Sequence, residues 1–394
     1  MTLTDLQRHS ISAVRKLQSF LRKKSVDAFF VADMANVRYL TTFSGTSGSC
    51  LVFPDSSYFL TDFRYKVQAA EQVRSCEVII YAGDVFEFMK KKFFGRNGSR
   101  RTRVALENTI PVGLYDKVVS LLSGCEISKA DEVVEKLAAV KSKAEVERIR
   151  KACWISASAL DIILQEDWVG KTEIEISSTI EFNQKILGAS KESFDTIVAS
   201  GGRGAMPHGV ASEKAIEENE SVTVDFGCFY DGYASDITRT FMTGERMNER
   251  LAKIYQVVYD AQRKGIDAIK PGIRARKVDN AARGYIEKKG YGKYFGHGLG
   301  HGLGLRIHEL PKVSRISEDV LEEGNVITIE PGIYLPGLGG VRIEDDFLVT
   351  SYGAEQLSHF SKDKDYYTSA YGKQGTRNSL LLSADGSKRS SEDT

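Results

Sequence analysis

The sequence predicts two unlike domains, an α/β unit over residues 1–135 and a larger α+β unit over residues 136–362 in which antiparallel strand pairs dominate. Three observations carry that prediction. At 394 residues the chain is too long for one ordinary core. Short apolar strand runs alternate with amphipathic helices in the first third of the chain. Beyond it the helices lengthen, and the strand runs come in pairs joined by turn sequences.

Taken in order, residues 11–24, ISAVRKLQSFLRKK, place Val14, Leu17, Phe20 and Leu21 at helical spacing. DAFFVAD reads as a buried strand, NVRYLTTF as another, and SCLVFPDSSYFLTDFRY as a hairpin-like pair. Strand runs recur at CEVIIYA and RVALEN, so a mixed or parallel sheet covered by helices is expected. A boundary falls near residues 128–143, where Ser142 and Glu145 form a capping box that opens a new helix. Residues 251–269 are helical and stop at Pro271-Gly272; residues 276–289 form the next helix and stop at Gly290. The segment 363–394 is polar and aperiodic, and reads as a disordered tail.

Bulk composition narrows the function classes. A formal charge of +1 gives no broad attraction to nucleic acid or an anionic membrane. No apolar run approaches the roughly 18 residues of a membrane span, and MTLTDLQRHS lacks an apolar signal core, so a cytoplasmic protein is expected. Cys50, Cys76, Cys125, Cys153 and Cys228 have no paired spacing and read as reduced thiols packed in the core.

The chemistry lies in carboxylates placed on strands. SVTVDFGCFYDGYASDITRTFM (221–242) reads as two strands joined at Asp231-Gly232, a dipeptide that suits a two-residue hairpin turn. Tyr230 then opposes Tyr233 and Gly227 opposes Asp236, which puts Asp225 and Asp236 diagonally on one face. NVITIEPGIY (325–334) and VRIEDDFLVT (341–350) repeat the theme, with Glu330 and Glu344 inside apolar strand patterns. A carboxylate in such a strand is costly unless paired or coordinated. Four of them with a nearby histidine can supply a two-metal site, whose ions stand roughly 3.5–4 Å apart.

The stretch GHGLGHGLGLRIHEL (296–310) carries three of the six histidines. A phosphate cradle would need a strand, a Gly-rich signature ending in Lys-Ser/Thr or GxGxxG, and then a helix; none follows here. Glycines around His301 instead leave space for a ligand and a substrate to approach the backbone. His301 and His308 differ by an odd number, so one regular strand cannot aim both at one place, and the glycines are expected to supply a bend.

Asp225, Asp236, His301, Glu330 and Glu344 match, in order and spacing, the five metal ligands of the pita-bread metallopeptidases. SFDTIVASGGRGAMPHGVAS, GHGLGHGLGLRIHE, ITIEPGIY and VRIEDD resemble motifs of that family, and VRYLTTFSGTSG and FLTDFRY resemble the creatinase/prolidase N-terminal domain. The resemblance reaches to about residue 360. It implies a creatinase-like N-terminal domain followed by a pita-bread catalytic domain with a curved antiparallel sheet. The short interval between Glu330 and Glu344 resembles the proline-specific branch, prolidases and aminopeptidases P, more than methionine aminopeptidases. The implied reaction is metal-dependent hydrolysis of an Xaa-Pro bond, in a dipeptide or at a peptide N-terminus, by a metal-bridged hydroxide. The alternatives are a metallo-aminopeptidase of the same fold without proline specificity, or a non-catalytic binding protein.

By the same resemblance Asp225 is bidentate to one ion, Asp236 and Glu344 bridge, and His301 and Glu330 bind the other. Such an oxygen-rich set suits two divalent ions, Mn²⁺ first, with Co²⁺ or Zn²⁺ as alternatives. Glu330 also carries the proton, His208 and His308 contact substrate and stabilise the tetrahedral intermediate, and His297 and Arg342 line the proline side. Arg342 would hold a dipeptide's carboxylate. A homodimer is implied. Arg239 reads as a neutraliser of nearby carboxylates, and Arg306 stands where prolidase-like relatives commonly carry an acidic residue, altering either pocket charge or a subunit contact.

Overall fold

The computed structural model describes residues 2–95, 102–244 and 248–362; the predicted tail lies outside them. A helix over Asp5–Lys24 opens the chain, closed at its start by a capping box between Thr4 and Gln7, and it buries Val14, Leu17 and Leu21 as their spacing requires. Strands β1 (Ala28–Val31), β2 (Ser49–Val52), β3 (Ser57–Thr61), β4 (Glu77–Ile80), β5 (Arg103–Glu107) and β6 (Glu126–Ala130) form one sheet in the order β4-β3-β2-β1-β5-β6. The sheet is mixed, as expected: β1–β2 and β2–β3 are antiparallel, and β1–β5, β3–β4 and β5–β6 are parallel.

One element departs from its predicted type. NVRYLTTF belongs to a helix, Met34–Thr41, and not to a strand. The Asp33 carboxylate accepts hydrogen bonds from the Ala35 and Asn36 amides and so satisfies the first turn. Val37 and Leu40 then share the buried face. Strand propensity in the run loses to a cap and a place to pack.

The second half opens with a helix over Lys143–Ile163, capped by Ser142 and Glu145 as the sequence predicts. A helix over Glu173–Ile186 follows. Next come β7 (Lys191–Glu192), β8 (Ile197–Ser200), β9 (Glu220–Phe226), β10 (Cys228–Tyr230), β11 (Tyr233–Ala234) and β12 (Ile237–Thr243). The first two helices pack on the β8–β9–β12 ladder through Leu160, Ile163, Ile176 and Ile180, against Val222, Val224 and Phe241. Helices Glu249–Asp267 and Ala275–Lys288 lie within two residues of their predicted spans. They bury Ile254, Val258, Val278 and Ala282 with Ile327, Ile329 and Val341 of the later strands.

Those strands are β13 (Gly300–Gly302), β14 (Glu309–Val313), β15 (Val326–Ile329), β16 (Gly332–Leu335), β17 (Gly339–Arg342), β18 (Asp345–Thr350) and β19 (Gly353–Gln356). All pairings in this half are antiparallel. Among the described residues no helix is long and apolar enough to cross a membrane.

Candidate metal centre

The two strand pairs share a device. Tyr230 faces Tyr233 in one ladder segment and Phe226 faces Ile237 in the next, so a single register runs through, with Asp236 opposite Gly227 at the interruption. Val326 faces Leu348, and Gly332 faces Arg342, again in one register; Glu330 and Glu344 stand opposite each other at the gap. The backbone leaves its ladder there to bind elsewhere. The Glu344 amide donates to the Thr238 carbonyl at 3.1 Å, and the Glu330 amide donates to the Leu299 carbonyl at 2.8 Å. These two bonds tie three strand groups together around the carboxylates.

The glycine run is shaped by the same crowding. A Cβ on Gly300 would lie 2.0 Å from the Thr328 carbonyl oxygen, and one on Gly302 would lie 2.1 Å from that of Leu310, so neither position admits a side chain. The β13–β14 register slips between His301 and Gly302, which pair with Lys312 and Glu309. The bend that the odd spacing of His301 and His308 demands is this slip, with the chain reversing between the two residues. Their rings meet edge to face, with centroids 4.4 Å apart.

Asp236, His301 and Glu344 each offer a ligand atom, and the three atoms lie within 4.8 Å of one another. His301 Nε2 is 3.6 Å from Asp236 Oδ2 and 3.5 Å from Glu330 Oε1. His301 Nδ1 lies 3.1 Å from the Gly302 carbonyl, which assigns the proton to Nδ1 and leaves a bare Nε2 lone pair facing carboxylate oxygens. Burial, followed by His308, lowers its pKa to about 4, so the ring is neutral at pH 7. Asp225 Oδ1 and Asp236 Oδ1 are buried without a hydrogen-bond partner among the described residues.

Burial, with Glu344 and Asp225 next, pushes the Asp236 carboxyl well above the ordinary range; burial, with Glu330 and Asp225, does the same to Glu344. Glu330 is pushed up to about 8 by burial, against the pull of Arg342. A cluster made almost entirely of acceptors is unfavourable unless a cation fills it. These residues fit divalent metal ions.

A neighbouring carboxylate shows the contrast. Asp345, equally buried, takes Arg239 and Lys362 at 2.7 Å each and Gln262 at 3.0 Å. Although burial pushes its carboxyl up, the two cations hold it below the ordinary value. Arg239 is therefore the neutraliser that the sequence suggests.

Arg342 is buried behind the site, and four of its five N–H groups have acceptors. Nε donates to Thr238 Oγ1 at 3.1 Å, Nη1 donates to the Pro207 carbonyl at 3.1 Å and to Tyr334 Oη at 2.9 Å, and Nη2 donates to Asp225 Oδ2 at 2.5 Å. Thr238 Oγ1 in turn donates to Glu344 Oε2 at 2.5 Å. Most of this guanidinium is committed to ordering the site.

His297 is held as a neutral ring, its pKa lowered to about 4 by burial and then by Arg342. Its Nδ1 lies 2.8 Å from the Gly298 carbonyl and its Nε2 lies 2.9 Å from Tyr334 Oη, so Nδ1 donates and Nε2 accepts. His208 and His308 are exposed, and of the two it is His308 whose ring is in contact with that of the candidate ligand His301.

The model of the creatinase/prolidase N-terminal domain matches residues 14–140, and that of metallopeptidase family M24 matches residues 147–351. The chain belongs to metallopeptidase family M24. This metallopeptidase is 39% identical over 350 residues to Xaa-Pro dipeptidase of Pyrococcus horikoshii, a match spanning 89% of this chain and 97% of that protein. The structure of Xaa-Pro dipeptidase from Bacillus anthracis is similar with a TM-score of 0.85 at 40% identity, over 90% of this chain and 99% of that one. X-Pro aminopeptidase from Thermotoga maritima follows with a TM-score of 0.80 at 35% identity, over 86% and 97%. The expected fold, a creatinase-type N-terminal domain followed by a pita-bread domain, is therefore the fold of this metallopeptidase.

Three residues of the metallopeptidase site escape sequence reasoning. Thr238 was within reach, since the hairpin register places it opposite Asp225. Tyr334 and Asp346 carry no local signal; Asp346 Oδ2 accepts the Asp236 amide at 3.0 Å and the Cys153 thiol at 3.1 Å. Arg306 makes a contact within its own chain, which is neither of the two roles its sequence position suggests. It pairs with Asp33 and reaches Asn36 Oδ1 at 3.3 Å, tying the His308 hairpin to the N-terminal domain.

Proposed function

We propose that this metallopeptidase hydrolyses the Xaa-Pro bond of dipeptides and works as a cytoplasmic homodimer. The observation that carries the substrate reading is the convergence of His301, Asp236, Glu330 and Glu344, in a chain similar almost end to end to Xaa-Pro dipeptidases. Asp225, Asp236, His301, Glu330 and Glu344 are the proposed holders of two divalent ions, with Mn²⁺ favoured by the single imidazole among four carboxylates. When bound, such ions polarise the scissile carbonyl and make a water more acidic.

The chain's own groups do the rest. Glu330 accepts a proton from the attacking water and returns it to the proline nitrogen as the peptide bond breaks. Exposed His208 and His308 donate hydrogen bonds to the oxygen on which charge develops. His297, Tyr334 and Arg342 border the proline side, the neutral His297 fixed by two hydrogen bonds before substrate arrives.

The reading is tested by hydrolysis after Mn²⁺ loading, comparing Ala-Pro, a longer Ala-Pro peptide and Ala-Ala. Cleavage of Ala-Pro alone is the expected result. Preference for the longer peptide would make the protein an aminopeptidase, and equal cleavage of Ala-Ala would overturn proline specificity.

A further inference from the structure

Glu173, the first residue of the helix Glu173–Ile186, is fully buried yet distant in sequence from every residue of the metal centre. Its carboxylate is saturated. Oε1 accepts from the Ser200 amide and hydroxyl, both at 2.8 Å. Oε2 accepts from Arg203 Nε at 2.9 Å, the Ser212 amide at 3.1 Å and the Ser212 hydroxyl at 2.7 Å.

These donors mark both stems of one loop: Ser200 ends β8, and Ser212 lies where the chain returns. Arg203 closes the loop internally, donating from Nη2 to the Val210 carbonyl at 2.7 Å. Between the stems lie Gly201, Gly202, Gly204 and Gly209, and a 3₁₀ turn over Gly201–Ala205 gives the loop only short-range order of its own. The same loop carries His208, exposed at its tip, and Pro207, whose carbonyl accepts from Arg342. A buried carboxylate is expensive to keep, and saturating it with loop donors spends that cost on one conformation.

We infer that Glu173 is a positioning residue for the reaction: from the outer side of the sheet it fixes the loop that presents His208 to the substrate. This rests on the proposed role of His208. A charge is needed because five donors converge, and a Gln would turn an NH₂ group toward at least two of them.

The test is a double-mutant cycle on the Mn²⁺-loaded enzyme with Ala-Pro, reading kcat, KM and bound metal. Glu173→Gln should lower kcat about ten-fold or more while metal content holds, since small misplacements of a catalytic group cost this much. In a His208→Ala background the same change should alter kcat less than about two-fold, because its effect runs through His208. If Glu173→Gln does not fold, Ser212→Ala removes one donor and should show the same dependence on His208 at a smaller amplitude. A full loss in both backgrounds, or no loss in either, would overturn the positioning role. If His208→Ala itself leaves turnover unchanged, the reading of His208 fails first and this inference falls with it.

Discussion

Asp236 and Asp345 are both buried aspartates of the same domain, and they are stabilised in opposite ways. Asp345 is surrounded by cations and amides, whereas Asp236 keeps Oδ1 unpartnered and faces a bare imidazole nitrogen and the charges of Glu344, Asp225, Asp346 and Glu330. A residue placed to hold a cation should therefore respond to mutation with opposite signs in the two metal states. Asp236→Asn removes one negative charge with little change in shape. In the chelated protein it should raise stability, by about 1 kcal/mol or more, because like-charge repulsion and desolvation both fall. With Mn²⁺ present it should lower stability, reduce bound metal and abolish turnover. Thermal melts with and without chelator, together with metal analysis, check both signs; destabilisation in both states would make Asp236 an ordinary structural aspartate.

At the scale of elements, the strand pairs were legible where turn chemistry fixed them. Asp231-Gly232 set the register that placed Asp225 and Asp236 on one face, and the ladder confirms it residue by residue. The helix starting after Ser142 was legible for the same reason, because its cap is local. Elements decided by distant partners were not. Met34–Thr41 carries strand-forming residues but is helical because Asp33 caps it and Val37 and Leu40 find a core. The ladder gaps at Glu330 and Glu344 depend on Leu299 and Thr238, which no local pattern reveals. The hairpin bearing His308 is likewise held from outside. Lys141 Nζ lies 2.8 Å from Glu309 Oε2, with both side chains almost fully buried. Glu309 Oε1 accepts the Arg306 amide at 2.9 Å. Lys141→Met would strand that carboxylate, and breaking a buried pair in this way costs about 3–5 kcal/mol. Denaturant melts should show this loss, and Lys141→Met combined with Glu309→Gln should recover part of it.

For the whole molecule, these local conflicts sum to a pH dependence whose sign depends on metal. Without a cation, Glu330 is raised to about 8 and Asp346 to about 7, burial being the largest cause in each. A carboxyl raised on folding contributes stability below its unfolded pKa, and that stability is lost as pH rises through the folded value. His297 and His301, lowered to about 4, act in the opposite direction, but only below the ordinary histidine value of 6.5. Above it both rings are neutral, folded or unfolded, and the carboxyls act alone. The chelated protein should therefore lose stability between pH 6.5 and about 8, the folded value of Glu330. The slope is about 1.4 kcal/mol per pH unit for each group still titrating. With divalent ions bound, Glu330 is a ligand that needs no proton, so the loaded protein should keep only the smaller share of that loss that belongs to Asp346. Melting curves taken across this range with chelator and with Mn²⁺ should diverge as pH rises. Parallel curves would mean that Arg342, already paired with Asp225, neutralises the cluster without metal, and would count against the five-residue ligand set.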